Sequence, residues 1–156
     1  MDSLRALLGW LDGLGTWLAP LGLRLLLAWE FWLAGVEKYH GRNWFSEFRE
    51  QFPFPFHLLP PEISWRMVLW FELIGAVALL LGLATRFVAL ALSLLTVAAV
   101  FAVHADAGYN VCDNGWKLPL LYLVMLLPLI LGGPGKLSLD CWLRGRYLES
   151  ERRLWS

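Results

Sequence analysis

The chain has 156 residues, of which 58% are hydrophobic, and its 13 basic and 13 acidic side chains give a formal net charge of zero. This length suits one domain, and the apolar fraction exceeds that of ordinary soluble proteins. The charges occur in blocks between long apolar runs, and the ten tryptophans favour a membrane–water interface. The neutral balance gives no support for a nucleic-acid partner. We therefore predict a single-domain, all-α integral membrane protein in contact with a lipid bilayer.

Residues 1–18 are predicted to form an amphipathic helix that lies along the membrane surface. Six leucines fall at helical spacing on one face, and tryptophans 10 and 17 are suited to the interface. Gly13, Gly15 and Pro20 weaken helical continuity beyond this segment, so we expect a break before the first membrane span. The alternative is that the segment simply extends that span.

Four apolar runs are each close to the length that crosses a bilayer, and they predict a four-helix transmembrane bundle. A long connection, rich in phenylalanine and proline, separates the first two spans, and its proline pattern predicts an extended chain over residues 52–61. Pro128 is expected to kink the last span. The predicted spans are 21–39, 65–83, 87–103 and 116–131, followed by a polar cytoplasmic tail over 136–156.

The distribution of basic residues predicts the orientation. Four spans place both termini on one side, and that side collects eight lysines and arginines against five on the other. The positive-inside bias then places both termini in the cytoplasm. In this orientation the long connection faces outward.

Two acids lie deep inside predicted spans, where a charge is expensive. Glu30 is about 14 Å and Glu72 about 10 Å from the outer ends of their helices at 1.5 Å per residue, and Lys38 lies near the same mouth. One interpretation is that the acids carry protons or bind a ligand, with Lys38 as a third catalytic residue. The other is that each pairs with a base such as Lys38 or Arg66 and only holds helices together.

Other candidate ligands gather at the predicted outer mouth. His40 and His104 end their spans, and Cys112 lies in an outer loop. With the carboxylates of Glu37 and Glu72 nearby, imidazoles could bind copper, zinc or iron, so we consider His40, His104 and Cys112 as metal ligands. Cys141 is predicted on the opposite face of the membrane, which excludes an intramolecular disulfide.

Aromatic residues flank both acids in the sequence. Flat rings around a few polar groups are suited to a flat apolar ligand such as a quinone, although such rings more often pack against lipid or other helices. With Glu37, the candidate ligand-binding residues are Trp29, Trp32 and Trp70.

Several blocks resemble the DoxX family. They are Gly35–Lys38 at the end of the first span, Glu72–Gly75, Gly82–Arg86 and Gly133–Asp140, so the resemblance covers about residues 24–140. Three longer blocks look like one subgroup in particular, which accompanies enzymes that modify small secreted copper-binding peptides, the bufferin-type systems. These blocks are Glu30–Lys38, Gln51–Phe56 and Lys117–Pro119.

The resemblance implies a four-helix protein of the bacterial inner membrane, and relatives of the family include a subunit of thiosulfate:quinone oxidoreductase. Our leading hypothesis is therefore a redox-associated membrane protein, linked to quinone or copper, that serves a copper-peptide system. The alternative is a non-catalytic scaffold or exporter-like partner that docks the peptide or its modifying enzymes through the Phe-Pro connection. Small residues such as Gly75, Ala76 and Ala98 allow tight packing within the bundle or against a second copy.

Overall fold

The computed structural model describes residues 2–54, 56–104 and 107–154, and it describes side chains within 3–54, 57–104 and 107–146. Pro55, in the middle of the connection that was expected to be extended, and the last two residues of the predicted tail lie outside this range. Within the described residues the regular secondary structure is entirely helical, without a β-strand, and the all-α fold class is confirmed. The long helices are α1 (Asp2–His40), α2 (Pro61–Leu81), α3 (Thr85–Ala99), α4 (Lys117–Gly132) and α5 (Leu139–Leu154).

Three helical segments are long and apolar enough to cross a membrane. They are Ser3–His40, Pro61–Leu81 and Thr85–His104, the last of which includes a π-helical turn after α3. Helix α4, Lys117–Gly132, is shorter, with 16 residues and a length of about 24 Å. The outer surface of these helices carries many exposed leucines and other large apolar side chains, as expected for helices that face lipid.

Helix α1 is continuous, so the predicted break between residues 18 and 21 is wrong. Pro20 lies inside the helix. Proline removes one backbone donor and crowds the preceding turn, but neighbouring structure can compensate for this within apolar helices. Here the chain packs closely on the proline: a Cβ on Gly135 would lie 2.8 Å from the Cβ of Pro20.

Helices α1 to α4 pack around one buried apolar core. Leu27, Leu79, Leu92, Leu126 and Leu129 are each 0% exposed and come from all four helices. Burying a leucine contributes about 1.5–3 kcal/mol, so this layer contributes much of the stability of the bundle.

The connection between α1 and α2 folds back over one end of the bundle. Phe45 and Phe52 are buried against Trp65, Val68 and Ala102, and the ring centroids of Phe45 and Trp65 lie 5.3 Å apart. We call this the aromatic cover, defined by Trp44, Phe45, Phe48 and Phe52.

The expectation of a fully extended chain over 52–61 is wrong in part. Phe52 is extended, with φ −70° and ψ 133°, but Phe56–Leu58 form a 3₁₀ turn and α2 already begins at Pro61. Proline is tolerated in the first turn of a helix because its missing N–H would have no partner there.

The opposite end of the bundle is held by a buried arginine. Arg24 is 2% exposed, and its Nε and Nη2 donate to the carbonyl oxygens of Leu79 and Leu80 at 3.0 and 3.3 Å. Its Nη1 donates to the carbonyl oxygens of Pro134 and Leu137, both at 2.7 Å. Arg24 therefore caps the carboxyl end of α2 and ties it to the segment after α4.

The predicted polar tail is an ordered helix for most of its length, and Asp140 joins its start to the turn between α2 and α3. The carboxylate of Asp140 accepts hydrogen bonds from the backbone N–H groups of Ala84 and Thr85 at 2.7 and 2.9 Å. Its own N–H donates to the carbonyl oxygen of Gly82. Two blocks of the family resemblance, Gly82–Arg86 and Gly133–Asp140, thus meet at this end.

Candidate functional site

A cavity of about 480 Å³ lies between α1, α2, α3 and α4, beneath the aromatic cover. Its walls combine apolar rings with a small set of polar side chains, as is typical of sites for small molecules. The aromatic lining includes Phe31, Trp44, Phe45, Phe48 and Phe52, and the polar lining includes Glu30, Glu37, Lys38, Glu72, His104 and Tyr122.

Lys38 and Glu72 form an ion pair across α1 and α2. The Nζ of Lys38 lies 2.9 Å from both carboxylate oxygens and donates a hydrogen bond to Oε1. Glu72 is 8% exposed, so its charge depends on this partner. The second oxygen, Oε2, is buried and accepts no hydrogen bond from the described residues. The cavity wall therefore contains a buried carboxylate oxygen that can still accept a hydrogen bond from a ligand.

Glu30 binds a residue that the sequence analysis did not single out. The hydroxyl of Tyr122, in α4, donates to Oε2 of Glu30 at 2.7 Å, and its ring packs against Phe31 with centroids 5.9 Å apart. The signal in the sequence was a lone phenol in an otherwise apolar span. That signal does not identify the partner, because the partner lies 92 residues away.

His104 lines the cavity from the π-helical turn Val100–His104, and such turns are frequent at functional sites. Its Nδ1 lies 2.6 Å from the backbone carbonyl oxygen of Asn114. A carbonyl oxygen only accepts, so Nδ1 carries the proton. In a neutral imidazole this leaves Nε2 as an acceptor.

The structure brings five of the predicted site residues to one cavity: Glu30, Glu37, Lys38, Glu72 and His104. Glu37 is exposed, at the mouth. The three predicted tryptophans do not line this cavity. Trp29, Trp32 and Trp70 are 60%, 43% and 53% exposed, on the lipid-facing surface of the bundle.

His40 and Cys112 also lie outside the cavity lining. His40 is exposed at the end of α1 and packs edge-on against Tyr39, and Cys112 is an exposed free thiol. In the part of the chain that the structure describes, no three His, Cys, Asp or Glu side chains are grouped closely enough to hold a metal ion. The predicted metal ligands His40, His104 and Cys112 are thus not brought together.

Fold and site define a multi-pass helical membrane protein with a mainly apolar cavity at one end of its bundle, lined by a small set of polar side chains. The family profile of DoxX matches residues 19–105, which include Arg24, Glu30, Lys38, Glu72 and the histidine of the π-helical turn. A protein of Haemophilus influenzae, described as an uncharacterized protein, is 50% identical over 137 residues, 88% of this chain and 91% of the relative. No solved structure matches. The chain belongs to the DoxX family, which is generally associated with redox and quinone-related membrane functions.

Proposed function

We propose that this protein is a quinone-binding subunit of a membrane redox system. The observation that carries the proposal is the cavity under the aromatic cover, where the Lys38–Glu72 ion pair and the Glu30–Tyr122 hydrogen bond lie within one apolar-walled space. Glu30 and Glu72, from different spans, line the same cavity, and intramembrane acids usually mark function.

The residues present are suited to a quinone in size and in chemistry. A volume of about 480 Å³ is within the range of small-molecule sites, and the rings of Phe31, Phe45 and Phe52 offer flat apolar walls. Lys38 is a donor for a quinone oxygen, and Oε2 of Glu72, which lies 2.9 Å from the Lys38 ammonium and retains a lone pair, is an acceptor for a quinol hydroxyl. A bound quinone would supply two-electron, two-proton redox chemistry.

The roles of this chain are binding and proton exchange, and the electron donor is a separate component of the system. Lys38 orients the ligand oxygen, and the carboxylates of Glu72 and Glu30 take up and release protons during turnover of the ligand. Glu37 links the mouth to the aqueous phase. The buried rings of Phe45 and Phe52 exclude water above the pair, which strengthens each of these polar contacts.

Quinone binding is tested on the purified full-length chain in detergent. We expect ubiquinone or menaquinone to be extracted with it, and a short-chain ubiquinone to quench tryptophan fluorescence, because Trp44 lines the cavity. Glu72→Gln and Lys38→Met should each weaken binding about tenfold or more, the value of a charge-assisted hydrogen bond.

Glu62→Gln is the matched control, since it removes the same charge from an exposed position on the same helix. The proposal fails if no quinone is extracted and the titration shows no saturable quenching. It also fails if Glu62→Gln weakens binding as much as Glu72→Gln.

We further propose that the redox system is one that handles a small secreted copper-binding peptide. The support is the resemblance of the blocks Glu30–Lys38, Gln51–Phe56 and Lys117–Pro119 to that subgroup. Deletion of the gene should then sensitise cells to copper and change the modification state of the peptide, which mass spectrometry would detect. Unchanged copper tolerance and unchanged peptide would contradict this role.

A second candidate function is a non-catalytic docking partner for the peptide or its modifying enzymes. One observation favours it: Phe54 is 76% exposed and Leu58 61% exposed, on a connection in which Phe45 and Phe52 are buried. Phe54→Ser should then abolish capture of the peptide or enzyme while quinone binding persists. Capture that survives this change would contradict the docking function.

We propose four transmembrane spans in the bacterial inner membrane, with α4 as the shortest and both termini in the cytoplasm. The native cysteines allow a direct test, because Cys112 and Cys141 are both free and exposed and lie at opposite ends of the bundle. A membrane-impermeant maleimide should label Cys141→Ala from the periplasmic side and label Cys112→Ala only after lysis. The reverse pattern would contradict the orientation.

A further inference from the structure

A second cavity, of about 570 Å³, lies at the end of the bundle opposite the aromatic cover. The two ends are separated by the length of α3, since Arg86 stands at its start and His104 ends the turn that follows it. Three cations line this second cavity: Arg86, Lys136 and Arg144. The proposed quinone site makes no use of them.

Two of these cations are held in place by neighbouring groups. The Nη2 of Arg86 donates to the carbonyl oxygen of Leu131 at 3.2 Å, which uses one of its five N–H donors. The Nζ of Lys136 lies 5.3 Å from the ring centroid of Trp17, within the range of a cation–π contact. Both side chains therefore retain donors for a ligand in defined positions.

The charge of the cavity is not cancelled from within. Across residues 3–54, 57–104 and 107–146, the one ion pair is Lys38–Glu72 at the other end of the molecule. Asp140 also lines the cavity, but both of its carboxylate oxygens accept from the N–H groups that begin α3. The positive end of that helix dipole compensates its charge. An anion in the cavity would thus meet three cations and one acid whose two oxygens already accept backbone hydrogen bonds.

The surroundings of the cavity are apolar on the side that faces away from the bundle. Phe87, in its wall, is 68% exposed, and Leu90 on the next turn is 49% exposed. Trp17, below Lys136, is 42% exposed, and tryptophan favours the interface level of a bilayer. A polar cavity at the end of the spans and an apolar strip beside it match a phosphate headgroup and the first part of its acyl chain.

We propose that this cavity binds the phosphate of an anionic membrane lipid. Basic pockets between helices on the cytoplasmic side favour such headgroups, and each cation near the surface contributes a factor of about five in affinity. Arg86 and Arg144 would contact the phosphate oxygens as planar donors. The acyl chain would lie along α3 against Phe87.

The test is native mass spectrometry of the delipidated full-length chain, titrated with phosphatidylglycerol and, separately, with phosphatidylcholine. The wild type should bind phosphatidylglycerol with a clear preference. The triple variant Arg86→Gln, Lys136→Gln, Arg144→Gln should lose about tenfold or more of that affinity and keep the quinone binding of the wild type. The triple variant Arg42→Gln, Arg66→Gln, Lys117→Gln is the control, since it removes the same charge from exposed positions at the other end.

Three results would overturn the proposal. The first is equal binding of the two lipids by the wild type, and the second is an equal loss of affinity in the control variant. The third is saturable binding of inorganic phosphate without any lipid preference, which would assign the cavity to a soluble anion. Thermal unfolding of both triple variants, monitored by circular dichroism, verifies that they remain folded.

Discussion

Replacing Lys38 with methionine leaves the carboxylate of Glu72 buried and without its counter-ion. Glu72 is 8% exposed, and both of its oxygens depend on a single nitrogen 2.9 Å away. Removing one partner of a buried pair costs about 3–5 kcal/mol. At about 2–4 °C per kcal/mol for a chain of this size, we expect Lys38→Met to lower the melting temperature by about 6–20 °C.

Replacing Glu72, the other partner of the ion pair, should destabilise the protein less. In Glu72→Leu the ammonium group keeps a long contact to the carbonyl oxygen of Ala34, at 3.5 Å. Its flexible stem also allows it to turn toward the mouth. We expect a loss of about 1–3 kcal/mol. The double variant Lys38→Met, Glu72→Leu removes both charges and should come within about 1 kcal/mol of the wild type.

The assay is thermal and denaturant unfolding of the four proteins in one detergent, followed by tryptophan fluorescence. The free energies of unfolding lost in the two single variants should together exceed the loss in the double variant. This excess is the coupling energy of the pair, and we expect it to be about 3 kcal/mol or more. Arg42→Met, at an exposed position, is the control and should stay within about 0.5 kcal/mol of the wild type. Additivity of the two single changes to within about 0.5 kcal/mol would refute the reasoning, because it would mean that the two charges do not stabilise each other.

Three further changes test other contacts of the bundle. Tyr122→Phe removes the hydroxyl that donates to Glu30 at 2.7 Å and should destabilise by about 1.5–3 kcal/mol; in a Glu30→Gln background its effect should shrink, and an unchanged effect would contradict the hydrogen bond. Gly82→Ala places a Cβ on a residue with φ +68°, 2.8 Å from the guanidinium carbon of the buried Arg24. It should lower the free energy of unfolding by about 2–4 kcal/mol, and a melting temperature like that of the wild type would contradict this close approach. Asp140→Ala removes the two backbone caps at the start of α3 and should cost about 1–2 kcal/mol, with faster hydrogen exchange at the amide of Thr85; unchanged exchange there would argue against the cap.

The buried arginine illustrates what a sequence leaves undecided. Arg24 lies close to the end of the predicted span 21–39, and the sequence analysis did not single it out. In the structure it is fully enclosed, because the carbonyl oxygens it needs come from α2 and from the segment after α4, more than 50 residues away. Local composition carries no information about such partners.

The sequence alone determined the helical class, the membrane-length runs and the presence of Glu30 and Glu72 within apolar helices. These properties are sums over neighbouring residues, so length, periodicity and composition are enough to predict them. Only the tertiary structure decided which side chains meet. Trp29 is adjacent to Glu30 in the chain, yet successive residues of a helix point about 100° apart, so the tryptophan faces outward while the acid reaches Tyr122 in the cavity. The rotation of each helix about its axis is set by packing against the others. That packing places Glu30 and Glu72, which are 42 residues apart in the chain, in the lining of one cavity.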